Sequence, residues 1–370
     1  MRDAIVVSGW TWENFNVPER MALALAHAGS RVLYCQNPVS WFRHTGRPLA
    51  EVEKGIFGFG PEFLGHRLNI FPFLAPIQAK LLANQILKNA TYLGLRDPLF
   101  IYPHGEYCLS LCQEFKQRGF PLIHICMDYH ERQQLEHVRL SDLTLAIPRA
   151  AFEELEKQFG GKVRLLPQFS SVYGSVPVSY GDLPEPLELS KIPRPRLGYL
   201  GSIIGRLSLP ILHELLSNHP EWHFVSFGTE KILSFPNEHI LSWRPHQELA
   251  TFVAGMDIGF MPYDCSDAKN LHCVPLKLFD YFAQGKPVVS TPILYLRGYE
   301  EVASYGSTID ELAAAISSAL KEPLDSPKKA KRLAIAQEHS IDTLSDCLET
   351  ILTEVDLASG RGADGNTQAR

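Results

Sequence analysis

Twice along this chain, short apolar runs alternate with helical stretches, and few folds accommodate that rhythm. Residues 4–8 (AIVVS) form a continuous apolar run, as expected of a strand buried on both faces. Gly9 ends it, an Ala/Leu-rich helix is predicted over 20–28 with Gly29 as its stop, and 31–35 reads as the next strand. Further strands are predicted at 99–102, 121–126, 143–146 and 163–166, with helices at 107–118 and 149–159. The rhythm restarts after residue 195. Strands at 196–200, 222–227, 239–241 and 257–261 alternate with helices at 209–218 and 246–254. Such alternation specifies a parallel, doubly wound sheet, so the fold class is α/β. Two rounds of it in 370 residues make two domains the default.

The rounds are separated by 172–195, which carries Pro177, Pro184, Pro186, Pro193 and Pro195 with little periodicity. The expected organisation is a first domain at 1–171, this linker, and a second domain at 196–338. A closing helix at 339–356 can return to the first domain, and the small-residue polar tail 357–370 is expected to be disordered. Within the second domain, Ser307 is placed to cap a helix at 309–320. One stretch breaks the rhythm. Residues 41–96 are punctuated by glycine and proline and interleaved with Phe57, Phe59, Phe63, Phe71 and Phe73, before a helix at 78–93. A long aromatic loop of this kind can bind an acceptor or touch a membrane; the plainer reading, adopted here, is that its phenylalanines cap the core.

Composition removes several classes of function. A net charge of −6 argues against a general nucleic-acid binder, while leaving room for a local basic pocket. The seven cysteines are scattered; Cys108 and Cys112 share a helix face, but no second Cys/His pair stands at zinc spacing. They read as free thiols in a reducing compartment. The N-terminus lacks the apolar run of a signal peptide, and no stretch reaches the roughly 18 apolar residues of a membrane span, so a cytoplasmic protein is expected. The first strand–helix–strand unit lacks G-x-G-x-x-G, which disfavours a nicotinamide or flavin dinucleotide.

The chemistry concentrates in 272–292. Pro275 suits a first helical position; Leu276, Phe279 and Phe282 make an apolar stripe; Gly285 fits a left-handed cap; Lys286 and Pro287 stop the helix; and Val288–Val289 resumes as strand. The helix should run about three turns. Lys277 falls in its first turn, where the macrodipole disfavours a cation, and Asp280 follows on the same face. Free N–H groups plus a lysine make a phosphate site, and a carboxylate one turn deeper could accept from the sugar hydroxyls of a nucleotide. The alternative is a solvated Lys–Asp pair, and these residues alone leave the two even. In doubly wound sheets ligands lie beyond the carboxyl ends of strands, where loops 9–12, His104 and 128–130 also fall.

Several segments, in order, resemble one family. Pro275-Leu-Lys-Leu-Phe-Asp-Tyr-Phe-Ala-Gln-Gly-Lys-Pro-Val-Val is similar to the most specific motif of the group 1 (family 4-like) glycosyltransferases of GT-B fold. Within them the chain looks most like the teichuronic-acid and exopolysaccharide biosynthesis type. Val17-Pro-Glu-Arg20, Leu197-Gly-Tyr-Leu-Gly-Ser202 with Arg206, Ser242-Trp-Arg-Pro-His246 through Leu249, and Asp257-Ile-Gly-Phe-Met-Pro-Tyr263 are similar to its weaker motifs.

The resemblance implies two Rossmann-like, doubly wound parallel-sheet domains facing a cleft. It also implies a retaining, metal-independent transfer from a nucleotide-sugar, a UDP-sugar by preference, to a glycan, lipid-linked or small acceptor. Gly201, Ser202, Arg206, Lys277 and the helix start at Val274, Pro275 and Leu276 would hold the diphosphate, and Asp280 the ribose. His104 would contact the donor sugar, with Gly9 in the neighbouring N-terminal loop; His104, Lys277 and Arg206 would carry catalysis. The nucleotide-sugar is a co-substrate, and no resident cofactor, metal or nucleic acid is implied. Membrane contact would be weak and peripheral at most, placing the protein in the cytoplasm or at the inner face of the membrane. The chain departs from the family pattern at His272, where a glutamate is common, at Ser208, where an acid is common, and at 167–171. Two other readings share the architecture: a nucleotide-sugar epimerase or phosphorylase, and a catalytically inactive binding or assembly protein.

Overall fold

The computed structural model describes residues 2–9, 11–12, 16–40, 47–63, 74–103, 106–127, 131–168, 183–201, 203, 205–227, 235–242, 244 and 246–358. Of the tail expected to be disordered (357–370), residues 357 and 358 are helical and 359–370 lie outside the described residues, as do most of the predicted linker (172–182), Phe71 and Phe73. The chain divides into two units: Met1–Pro167 with Asp342–Arg370, and Gln168–Ile341.

In unit 1, β1 (Ala4–Val7), α1 (Val17–His27) and β2 (Val32–Cys35) form the first strand–helix–strand turn. The helix starts earlier than predicted because Asn16 caps it, its side chain accepting from the Glu19 N–H at 3.3 Å. The stretch expected to be irregular instead holds β3 (Val39–Ser40), β4 (Arg47–Glu53), β5 (Ile56–Gly60) and β6 (Glu62–Phe63), before α2 (Ala75–Tyr92). β4 and β5 pair as an antiparallel hairpin turned at Gly55, whose φ of +78° a residue with a Cβ adopts only under strain. Phe59 and Phe63 are buried in the core, as the plainer reading of the aromatic stretch requires.

Alternation then proceeds through β7 (Leu99–Pro103), α3 (Glu106–Gln117), β8 (Leu122–Cys126), α4 (Glu131–Leu140), β9 (Leu143–Ala146), α5 (Arg149–Phe159) and β10 (Val163–Leu165). Among the described residues these strands make an eight-stranded sheet in the order β10-β9-β8-β7-β1-β2-β5-β4, parallel except for the hairpin. Ile5 pairs with Leu33 on one side and Phe100 on the other. Phe100 stacks on Phe115 of α3 with centroids 3.9 Å apart, a burial worth about 1.5–3 kcal/mol per ring. Cys35, Cys112, Cys126, Cys265, Cys273 and Cys347 are free thiols.

Unit 2 comprises α6 (Leu187–Ser190), β11 (Arg196–Tyr199), α7 (Leu209–Asn218), β12 (His223–Phe227), β13 (Glu238–Leu241), α8 (His246–Ala254), β14 (Ile258–Met261) and α9 (Ala268–Leu271). It continues with α10 (Leu276–Ala283), β15 (Val288–Ser290), β16 (Ala303–Tyr305), α11 (Ile309–Leu320) and α12 (Pro327–Glu338). Its sheet is parallel, in the order β13-β12-β11-β14-β15-β16. The chain winds outward from β11 to β13 and then crosses to β14, so the order reverses between β11 and β14. Ligands in doubly wound sheets bind at that reversal. Thr308, not Ser307, caps α11, through a reciprocal capping box with Glu311. β16 and α12 were not predicted: β16 exposes two of its three residues, and α12 opens on Pro-Lys-Lys-Ala-Lys-Arg. The last helix, α13 (Ile341–Ala358), belongs to unit 1, where Ser345 Oγ donates to Ala24 O of α1 at 2.9 Å.

Candidate functional site

Two loops leave the sheet of unit 2 at its order reversal, 200–208 after β11 and 262–275 after β14, and they are laced together. Leu207 bridges to Tyr263, Ser208 N–H donates to Pro262 O at 2.8 Å, and Asp264 N–H donates to Arg206 O at 2.9 Å. Asn270, only 1% exposed, completes the lacing. Its amide nitrogen donates to Gly205 O at 3.3 Å and Asp264 O at 3.1 Å, and its Oδ1 accepts from Arg206 Nη1 at 3.2 Å. One buried amide, donor and acceptor at once, thereby orients the guanidinium.

The helix α10 is pinned to the same place by Tyr281. Its hydroxyl donates to Gly198 O at 2.9 Å and accepts from Leu200 N–H at 3.0 Å. The ring lies over Gly259, where a Cβ would stand 2.4 Å from ring carbon. Pro275 proves to be the N-cap, with extended backbone (ψ 108°), rather than the first helical residue; the helix has 8 residues, about two turns instead of three. Its end is as predicted. Lys286 N–H reaches Tyr281 O at 3.0 Å and Gly285 N–H reaches Phe282 O at 2.8 Å, a Schellman pair with Gly285 at φ +63°. Arg332, fully buried in α12, donates to Gly285 O at 3.0 Å and secures that end.

At the other end of α10, Lys277 is half-buried between two phenols. Its Nζ donates to Tyr263 Oη at 3.0 Å and lies 4.0 Å from the Tyr199 ring centre and 5.1 Å from that of Tyr263. Gly201, at φ +117°, makes room: a Cβ there would stand 3.2 Å from Nζ. Loss of hydration pushes the ammonium down to about 7; Cys273 and Asp280 pull it up, and Arg206 pushes it down. Burial raises Tyr199 and holds Tyr263 well above the usual phenol range, so both rings are neutral. An ammonium has three donors, and Tyr263 takes one. Asp280 is 3% exposed, buried like its neighbours Leu278, Phe279 and Tyr281 in α10. A solvated surface pair therefore does not describe Lys277 and Asp280.

Gly201, Arg206, Lys277, Asp280 and the helix entry Val274, Pro275 and Leu276 come together in unit 2. Ser202 and His104 lie outside the described residues, as do Trp10 and 128–130. Gly9 is exposed past β1 in unit 1, and Trp12, packed edge-on against Tyr34 at 4.9 Å, donates its backbone N–H to Gln36 Oε1. Ser208 occupies the N-cap of α7, and His272 the C-cap of α9. The sequence reading missed the roles of Tyr199, Tyr263 and Asn270. Tyr199 closes β11 and Tyr263 lies two residues past β14, both within motif segments, a usable signal; Asn270 carried none, because Gly205 and Arg206 come from a loop distant in sequence. Among the described residues, no group of three or more His, Cys, Asp or Glu could hold a metal ion, and no helix is long and apolar enough to cross a membrane.

A guanidinium, an ammonium and the start of a helix converge at a sheet's order reversal, and groups of these kinds have the chemistry that suits a phosphate or diphosphate. The two doubly wound units give the chain the GT-B fold. Sucrose-phosphate synthase of Thermosynechococcus elongatus superposes with a TM-score of 0.69 at 12% identity, covering 97% of this chain and 100% of that one. An E. coli trehalose-6-phosphate structure bound with UDP-2-fluoro glucose gives 0.64 at 12% identity, covering 95% and 98%. A UDP-forming α,α-trehalose-phosphate synthase of Burkholderia xenovorans, in complex with glucose-6-phosphate, gives 0.64 at 10%, covering 95% and 100%. In sequence, the chain is 33% identical over 104 residues to TuaH of Bacillus subtilis (strain 168), named as a teichuronic acid biosynthesis glycosyltransferase. That match spans 26% of this chain and 26% of that protein. No protein-family profile matches the chain.

Proposed function

We propose that this protein is a retaining glycosyltransferase that moves a sugar from a nucleotide-sugar, a UDP-sugar by preference, to a glycan, lipid-linked or small acceptor. The observation that carries this reading is the convergence of Arg206, held by Asn270, with Lys277, held by Tyr263, beside Gly201 at the order reversal of unit 2. As the bond to the sugar breaks, charge gathers on the departing diphosphate, and two oriented cations in a partly dehydrated site stabilise it. They supply the positive field that a metal would otherwise bring, so the transfer is metal-independent. Asp280 accepts from the ribose hydroxyls. Gly9, and His104 directly after β7 in sequence, are assigned to the donor sugar on the family resemblance. Support also comes from the bound UDP-2-fluoro glucose and the UDP-forming activity of the structural neighbours, and from the name of the Bacillus relative.

The test is product analysis by mass spectrometry with a panel of nucleotide-sugars, with and without acceptors, in EDTA. The reading expects acceptor-dependent release of nucleoside diphosphate and a glycoside of retained configuration. Acceptor-independent conversion of the donor would make it an epimerase, and binding without turnover an inactive assembly protein. Complete loss in EDTA restored by manganese would refute metal independence.

A further inference from the structure

We propose that diphosphate binding at this site takes up one proton on Lys277, and that Tyr263 is the positioning residue that tunes that uptake. This rests on the donor-site reading above. The groups facing Lys277 come from four places: Tyr199 from the end of β11, Arg206 from loop 200–208, Tyr263 and Cys273 from loop 262–275, and Asp280 from α10 itself. Tyr199 and Tyr263 are 0% and 4% exposed, so they displace water while offering only a ring face and one phenol oxygen in return. Arg206 repels a second cation. A neutral amine is therefore accessible without ligand, consistent with the direction in which dehydration drives this group, to about 7. A diphosphate reverses the balance: its negative charge favours the ammonium. The step is simple in atoms, since the Nζ lone pair takes a proton from solvent and no bond in the ligand breaks.

The sign of the pH dependence follows. Below about 7 the ammonium is present before binding, and Lys277 adds no pH dependence to the affinity. Above it, each binding event must draw a proton from a falling supply, and affinity drops by up to about tenfold per pH unit until the bound-state value is reached. The phenol oxygen of Tyr263 accepts from the ammonium and so favours the protonated form. Removing it should start the decline at lower pH.

Isothermal titration calorimetry of the full chain with UDP, between about pH 6.5 and 9 in pairs of buffers with different ionisation heats, counts protons directly. Wild type should take up nearly one proton per UDP at about pH 8, and much less at pH 6.5. Lys277→Arg should take up none at about pH 8, because a guanidinium stays charged throughout, and at pH 6.5 it reports only the proton exchanged by the terminal phosphate of UDP. Tyr263→Phe, which keeps the ring, should lose severalfold more UDP affinity relative to wild type at pH 8 than at pH 6.5. UDP binding by wild type without buffer-dependent heat would overturn the proposal and leave the donor site standing. So would a Tyr263→Phe loss equal at every pH, which marks a merely structural tyrosine. Failure of wild type to bind any nucleoside diphosphate would remove the donor-site reading and this inference with it.

Discussion

Lys277 and Asp280 stand one turn apart on α10 yet should fail differently when altered. On the proposed role the ammonium meets charge that grows as the diphosphate departs, so Lys277→Ala should lower kcat. The carboxylate is assigned to the ribose, which changes little during reaction, so Asp280→Asn should chiefly raise the KM for donor. Charged hydrogen bonds are worth about 1.5–3 kcal/mol, so each effect should be about ten- to a hundredfold. Steady-state kinetics with varied donor decide; an intact kcat in Lys277→Ala beside a lost kcat and unchanged KM in Asp280→Asn would reverse the roles. Both residues stood out in the sequence by their helix positions, but those positions left a solvated pair equally open until the burial of Asp280 removed it. Their partners did not stand out. Tyr199 and Tyr263 reach Lys277, and Asn270 reaches Arg206, only through the lacing of two loops, which no local pattern encodes.

At the scale of the element, α10 is held by a glycine at its end. Gly285→Ala would force φ +63° on a residue with a Cβ and place that Cβ 2.8 Å from Lys329 Cγ. The left-handed conformation alone costs about 1–2 kcal/mol, and the flexible lysine can yield. Thermal unfolding should show a lower Tm; an unchanged Tm would mean that the Schellman turn does not limit the helix. This stop was readable because glycine followed by Lys-Pro leaves a helix no continuation. The hairpin of β4 and β5 was not, since Glu51, Glu53 and Lys54 interrupt its apolar pattern and β4, at the sheet edge, is largely open to solvent. Edge strands have only one side to bury and so leave a weak signal.

At the scale of the whole molecule, the chain leaves unit 1 at Pro167 and supplies α13 to it after unit 2 is complete. Leu344 and Leu348 of that helix are 2% and 1% exposed. Leu348→Ala should cost about 2–5 kcal/mol through lost burial and the cavity left behind. Hydrogen exchange should then quicken in β1 and β2 while the sheet of unit 2 keeps its protection; equal loss in both units would mean that they unfold as one. The two rounds of alternation were legible because parallel strands buried on both faces are mostly apolar, with few breaks such as His124 and Ser226.

The central claim, that unit 2 receives the diphosphate of a nucleotide-sugar between Arg206 and Lys277, is tested most directly by ligand-dependent thermal unfolding. A nucleotide-sugar at 100 times its Kd should stabilise wild type by about 2.7 kcal/mol. Arg206→Ala and Lys277→Ala should each need at least about tenfold more ligand for the same rise, as the loss of a charged hydrogen bond requires. Stabilisation by no nucleotide-sugar, or an equal rise in wild type and both variants, would contradict it.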